Sequence, residues 1–250
     1  MKNYGASFLF FAQTVAHLGL IYGILNFQAW EWLIVLGIYF LTGCLGVSIT
    51  YHRLLSHQSF RSPRWFEILG TICATYGLVG SSLAWVNNHR SHHLHTDTSR
   101  DPHSPQHHGW VNIQWFSMFT SETKFRYVVK ILRDRFHVLL HRNYVYIHLG
   151  IFFSLLALGG IHTVCLYYLA PAAVLWNLGS LINTMCHSRF GYRNYELQDD
   201  LSKNNFILGF LVWGEGWHNN HHKHPVRAQY GEKWWEFDIS YQIIKLIQKK

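Results

Sequence analysis

Two long tracts almost free of charged side chains dictate where this chain can sit. Between Asn3 and His52 the only charged side chain is Glu31, and between Asn143 and Ser188 there is none. The tracts run roughly 50 and 46 residues, and each can hold two helices of about 20 residues, the length that crosses a bilayer. The predicted fold is therefore all-α and integral to the membrane, with four transmembrane helices at about 7–25, 32–51, 144–159 and 164–186. Residues 52–143 and 187–250 form a cytoplasmic helical cap, and the whole of 1–250 reads as one membrane-bound domain. Trp30 and Trp32 fall at the turn between the first two spans, where interfacial aromatics belong. Pro171 predicts a kink in the fourth.

The formal charge of +8 does not indicate a nucleic-acid partner. A phosphate-binding strip would not be interrupted by tracts of this length. All 21 Lys and Arg lie outside the tracts, at Lys2, from Arg53 to Arg142 and from Arg189 to Lys250. That distribution is expected when the polar parts and both termini face the cytoplasm, here that of a bacterium bounded by its inner membrane. The N-terminus lacks the pattern of a cleavable signal peptide. Cys44, Cys73, Cys165 and Cys186 form no CxxC pair and read as small apolar residues, without a disulfide framework.

Three further segments need placing. Phe66 to Val86 is long enough to span, but crossing would put the histidines on its two sides in opposite compartments. Glu67 and the small residues Gly77, Gly80, Ser81 and Ser82 suit a buried or interfacial helix instead. Lys124 to Arg142 places Phe125, Val128, Leu132, Phe136, Leu139 and Leu140 on one helical face, as in a basic amphipathic helix on the membrane surface or an ordinary packed helix. Trp234 to Ile247 is a second candidate for interfacial docking.

The chemistry lies in the 19 histidines. They cluster as His52-Arg-Leu-Leu-Ser-His57, His89-Arg-Ser-His92-His93, Asn183-Thr-Met-Cys-His187 and His218-Asn-Asn-His221-His222. Imidazole is a good ligand for iron, zinc, copper and nickel. Residues three and four apart share a helical face, so each HxxHH group can aim at one site, and Asn183 shares a face with His187. His52 and His57 are about 140° apart on a helix of 3.6 residues per turn. They converge only if the helix ends between them, or if they reach different metals. Nine histidines and one asparagine exceed what one metal can use, whereas two metals with four or five ligands each consume the set. Two spans before the first cluster and two between the second and third put all four on the cytoplasmic side.

The remaining histidines have plainer roles. His17, His148 and His162 lie within or between spans and read as packing or local hydrogen-bonding groups. His95, His103, His107, His108, His137, His141 and His224 sit near polar loops, and His103, within Asp101-Pro102-His103, is the best candidate to support a ligand.

From Gly43 to Asp238 the sequence resembles the membrane-bound acyl desaturases of the stearoyl-CoA desaturase type. The resemblance rests on the residues at 52–57, on Trp-Val-Asn-Asn-His-Arg-Ser-His-His at 85–93 and on Asp-Pro-His-Ser-Pro at 101–105. It rests also on Asn183 with His187 and on Gly-Glu-Gly-Trp-His-Asn-Asn-His-His at 214–222. It implies two irons bound by His52, His57, His89, His92, His93, His187, His218, His221 and His222, with Asn183 contacting one through water. Dioxygen would be the co-substrate and a cis double bond in an acyl chain the product. Asn88 stands where animal members often have an acid, which puts the tuning of the site in doubt. No fused cytochrome domain is present, so electrons are expected from a separate ferredoxin or cytochrome. The acyl group could be carried on coenzyme A, a carrier protein or a lipid. Trp85, Trp213 and Trp217 border the clusters and could line a dry acyl tunnel, and no catalytic side chain is expected beyond the metal ligands. An acetylenase, a terminal desaturase and a membrane di-iron hydroxylase are related alternatives. A metal- or haem-binding helical bundle is the non-catalytic one, although haem needs only one or two axial histidines.

Overall fold

The computed structural model describes residues 4–120 and 124–249. Among them every regular element is helical, and extended pairing is limited to two isolated bridges, Tyr192 with Asn204 and Asn204 with Trp217. The larger helices are α1 (Tyr4–Asn26), α2 (Glu31–Ser56), α3 (Arg64–Tyr76), α4 (Ser82–His95), α5 (Trp110–Trp115), α6 (Arg135–Arg142), α7 (Tyr144–Met185), α8 (Phe206–Leu211), α9 (His218–Lys223) and α10 (Ile239–Ile247).

Three of these, α1, α2 and α7, are long and apolar enough to cross a membrane. The third is 42 residues long; unbroken, at about 1.5 Å per residue, it would be about twice the thickness of a hydrocarbon core. It is broken at Gly159 (φ −160°, ψ 22°) and Gly160 (φ 68°, ψ −165°), and Gly160 occupies backbone space that a side chain resists. Nδ1 of His148 lies 2.5 Å from the Tyr168 hydroxyl, 20 residues on, which a straight helix forbids. Ile151, Phe152 and Leu155 pack against the cluster containing Val164 and Tyr168. Thus α7 is a hairpin with limbs 144–158 and 161–185. Ahead of Pro171, which lacks an N–H, the helix is π-helical over Cys165–Leu169.

The ambiguous segment 66–86 is not one helix. α3 ends at Tyr76, Leu78 (φ 56°) and Gly80 (φ 97°) turn the chain, and Ser81 caps α4 by accepting from the Ala84 N–H. At 13 residues α3 is too short to span. It lies instead along α2, so closely that a Cβ on Gly46 would sit 2.5 Å from the backbone nitrogen of Ala74. Its outer face carries the exposed side chains of Trp65, Leu69 and Ile72.

The amphipathic segment 124–142 is likewise subdivided, contrary to the single helix predicted. Short turns at Phe125–Tyr127 and Val129–Leu132 precede α6, which Asp134 starts afresh by accepting from the Phe136 N–H at 3.0 Å. Val128 and Ile131 are buried against Leu83 and Val86 of α4, while Leu139 of the predicted face is exposed. In 234–247 only Ile239–Ile247 is helical, capped by Asp238, and its Ile244 is buried against Cys44, Ile49 and Phe66. The four cysteines are free.

The close approach of α2 and α3 gives a direct test. Gly46→Val should lower apparent stability by about 1–3 kcal/mol through overpacking, read as thermal unfolding in detergent. Gly37→Val, at an exposed position with open space, should leave the transition where it is.

Candidate metal centre

Nine histidines converge in two adjoining groups. One nitrogen from each of His52, His57, His89, His93 and His221 lies within 4.8 Å of the others, and the same holds for His92, His187, His218 and His222. Each HxxHH box is divided between the groups, a correction to the expectation that each aims at one site. His89 and His93 go to the first and His92 to the second, while His218 and His222 go to the second and His221 to the first. The reason is angular. Residues i and i+4 share a helical stripe, whereas chain neighbours differ by about 100°, so His92–His93 and His221–His222 each straddle the boundary.

His52 and His57 meet by a third route. The C-terminal part of α2, Phe40–Ser56, is π-helical. The His57 N–H donates to the His52 carbonyl at 3.1 Å, five residues back. Thr50 Oγ1 reaches the Leu45 carbonyl and Ser56 Oγ the Tyr51 carbonyl across the same interval, each at 2.8 Å. The wider turn, bonded from i to i+5, brings positions i and i+5 to the same side of the helix, and both rings enter one group.

The imidazoles face each other through Nε2. The separations are 3.1 Å for His52–His221, 2.9 Å for His93–His221 and 2.6 Å for His57–His89. In the second group they are 3.0 Å for His187–His218, 3.1 Å for His218–His222 and 3.3 Å for His92–His222. Behind four rings stand carboxylates on Nδ1. These are Glu215 on His52, Asp101 on His92 at 2.9 Å, Asp97 on His187 at 2.8 Å and Asp200 on His222 at 2.7 Å. A carboxylate fixes the ring proton on Nδ1 and bares the lone pair of Nε2. Burial, reinforced by the neighbouring imidazoles, holds His57, His89, His93, His218 and His221 well below the ordinary histidine range. They are neutral at pH 7.

This arrangement fits a metal pair. Bare nitrogens gathered at about 3 Å repel each other unless a cation sits among them. Among the described residues no Lys or Arg pairs with the side chains of Asp97, Asp101 or Asp200, and buried charge of one sign needs a counter-ion. Burial alone would raise Asp101 and Asp200, yet His92 and His222 hold them well below the usual carboxylate range. Glu215 is drawn the same way, against its burial, to about 2 by His52 and Arg53. Nδ1 of His218 and of His221 is buried without a partner. A third convergent group, Glu67, Asp134 and His137, already has its cation, since Arg64 pairs with both acids.

The supporting carboxylates were missed as such in the sequence, although Asp101 and Glu215 lie within quoted motifs. The available signal was scarcity. The chain has only 13 acids, and Asp97, Asp101 and Glu215 lie within a few residues of a box or of each other, whereas Asp200 lies near none. His103, the favoured supporting histidine, has its ring 5.7 Å from that of His92, and burial, then His92, lowers it to about 4. His107 and His108 reach the backbone carbonyls of Asp97 and Asp101. Asn183, half-buried, precedes His187 by one turn. Of the three tryptophans, Trp85 stacks on His89 at 5.0 Å and 16°. Trp213 packs between Tyr39 and Phe40. Trp217 is fully buried, donating to the Phe237 carbonyl at 3.1 Å.

Comparison with known proteins agrees. The family model for fatty acid desaturases matches residues 30–245. The chain is 34% identical to an sn-1 stearoyl-lipid 9-desaturase of Anabaena variabilis over 93% of its length and 86% of the relative's. It is 36% identical to Delta-9 acyl-lipid desaturase 2 of Arabidopsis thaliana, covering 88% and 72%. It is also 36% identical to an acyl-CoA C20 Delta5-desaturase of Anemone leveillei, covering 84% and 69%. The chain belongs to the fatty acid desaturase family. It is an integral membrane oxidoreductase that introduces double bonds into fatty acyl chains.

Loss of one supporting carboxylate should loosen metal without unfolding the protein. Asp97→Asn is expected to weaken iron(II) retention by about 10–100-fold, measured by chelator competition, with thermal unfolding unchanged. Equal retention in both proteins would remove Asp97 from the site.

Proposed function

We propose that the protein is an oxygen-dependent acyl desaturase that forms a cis double bond at a di-iron centre. The convergence of nine imidazoles in two carboxylate-backed groups is the observation that carries this reading. His52, His57, His89, His93 and His221 would hold one iron, and His92, His187, His218 and His222 the other, with Asn183 reaching the second through water. Iron, when bound, supplies the dioxygen-activating redox chemistry that no side chain can perform. Over one turnover an acyl chain gives up two hydrogens from adjacent carbons. With one dioxygen, two external electrons and two protons, it yields an alkene and two waters. The electrons come from a separate ferredoxin- or cytochrome-type donor. The substrate is an acyl chain on a lipid, as the names of several relatives suggest.

The chain's own residues fix geometry. Glu215, Asp101, Asp97 and Asp200 orient four rings and keep their protons on Nδ1, while Trp85 clamps the face of His89. As one unit over 1–250, the molecule would cross the bilayer four times, through α1, α2 and both limbs of α7. Its termini and metal groups would then face the cytoplasm of a bacterial cell, as the placement of Lys and Arg favours.

Purified protein should contain two irons per chain. Expressed in a host lacking its own desaturase, it should give products two hydrogens lighter than the substrate. His92→Ala and His221→Ala, one from each group, should each abolish product while the protein remains folded. Full turnover by either variant, or an active sample without iron, defeats the proposal, and a product heavier by one oxygen makes it a hydroxylase. Single cysteines at Gln58 and Lys223 should react with an impermeant thiol reagent only from the cytoplasmic side, and one at Gly160 only from the other.

A further inference from the structure

A concave pocket of about 440 Å³ opens on the surface beside His187. Its wall joins the second histidine group in three ways. Ser188 and Arg189 follow His187 directly. Gln106 donates to the His187 carbonyl at 2.6 Å, and the Leu201 N–H donates at 2.8 Å to the Asp97 oxygen that holds the His187 ring. Three cations line it, Arg189, Arg193 and Lys203, together with the aromatic rings of Trp110 and Phe190. Arg193 is committed to structure, donating to the Ser202 and Asp200 carbonyls and to Glu196. Arg189 and Lys203 form no ion pair among the described residues. The pocket therefore offers two uncommitted positive charges beside apolar rings.

Its level in the fold narrows what it can take. Arg189 comes four residues after Met185, where the second limb of α7 ends. Lys203 comes three residues before α8, whose Phe206, Ile207, Phe210 and Leu211 are exposed. The far end of α8 is tied to a membrane helix, because the Tyr39 hydroxyl of α2 donates to the Leu211 carbonyl at 2.7 Å. On the other side Trp110, Val111 and Trp115 of α5 are exposed as well. Cations edged by outward-facing aromatic and aliphatic side chains mark the headgroup level of a bilayer. An arginine fork beside a lysine is suited to phosphate.

We propose that this pocket seats the phosphate headgroup of the acyl-bearing lipid, so that the substrate reaches the enzyme as a phosphoglycerolipid within the membrane. The inference rests on the desaturase reading above and adds the carrier to it. A concave site at headgroup level suits a lipid phosphate better than the broad face of a soluble protein or a carrier arriving from the aqueous phase.

The test compares wild type with Arg189→Ala/Lys203→Ala in dodecyl maltoside, on three stearoyl substrates: phosphatidylglycerol, monogalactosyldiacylglycerol and stearoyl-CoA. The double variant should raise KM for stearoyl phosphatidylglycerol at least tenfold, leave kcat within twofold, and leave KM for the galactolipid unchanged. Arg189→Lys should retain most of the wild-type KM. Native mass spectrometry should find phosphatidylglycerol retained by wild type and lost from the double variant. An unchanged KM and unchanged lipid retention would overturn the proposal. So would a rise confined to stearoyl-CoA or to a ferredoxin donor, or equal rises for phospholipid and galactolipid. If wild type makes no alkene from any substrate, the desaturase reading fails, and lipid retention alone still decides whether the pocket binds phosphate headgroups.

Discussion

The structure depends on one electrostatic constraint, that many bare imidazole nitrogens are brought into two small buried volumes. Each ring contributes a lone pair through Nε2, and several are locked in that tautomer by a carboxylate on Nδ1. Neither half of the arrangement is stable by itself. Lone pairs at about 3 Å repel, and carboxylates such as Asp101, with no exposed surface, lose their hydration without gaining a cationic side chain. A divalent ion in each group answers both problems at once, because it accepts the nitrogens and balances the acids behind them. The two groups are thus suited to hold metal, with counter-charge already in place behind the rings.

Backbone geometry sets how the rings are apportioned. A regular α-helix would send His52 and His57 to different places, whereas the π-helical end of α2 brings them to one side. Such local widening is uncommon and tends to occur at functional sites. Dividing each HxxHH box between two groups has a further consequence. His92 and His93 on α4, and His221 and His222 on α9, hold the two groups side by side through neighbouring peptide units. Distortion of either helix would therefore disturb both groups together.

Much of this was legible in the sequence, for identifiable reasons. The charge-free tracts located α1, α2 and α7, because lipid tolerates few charges, and the break between the spans expected at 144–159 and 164–186 falls at the glycines that turn the hairpin. The nine histidines were legible because spacing and span count pointed to the same place. The course of 66–86 was only partly so, since hydropathy cannot distinguish a crossing helix from one broken at Leu78 and Gly80. The segment 124–142 misled because its period is helical throughout, and Asp134, which restarts the helix, looks in sequence like any surface acid. The convergence of His52 with His57 was not legible, because it follows from a π-helical hydrogen-bond pattern that leaves no mark in residue type. Which ring each carboxylate supports was hidden mainly by distance, with Asp97 lying 90 positions from His187 and Glu215 163 from His52.

That last pair shows how the spans and the cap are made one object. Glu215 holds His52 and also accepts from Arg53, whose guanidinium is fully buried and donates to Asp238 at 2.9 Å and to the Ala228 carbonyl at 2.7 Å. The ring of Tyr230 covers the guanidinium at 3.9 Å. Asp238 in turn caps α10, and Ser240 at the start of that helix bonds to Ser48 of α2 at 2.7 Å. A buried arginine is tolerable only when nearly all its donors are used, and these partners come from 215–238, far along the chain. The orientation of His52 therefore depends on the C-terminal segment that packs over α2. Arg53 thereby positions the first histidine group through Glu215, although its own side chain lies outside that group.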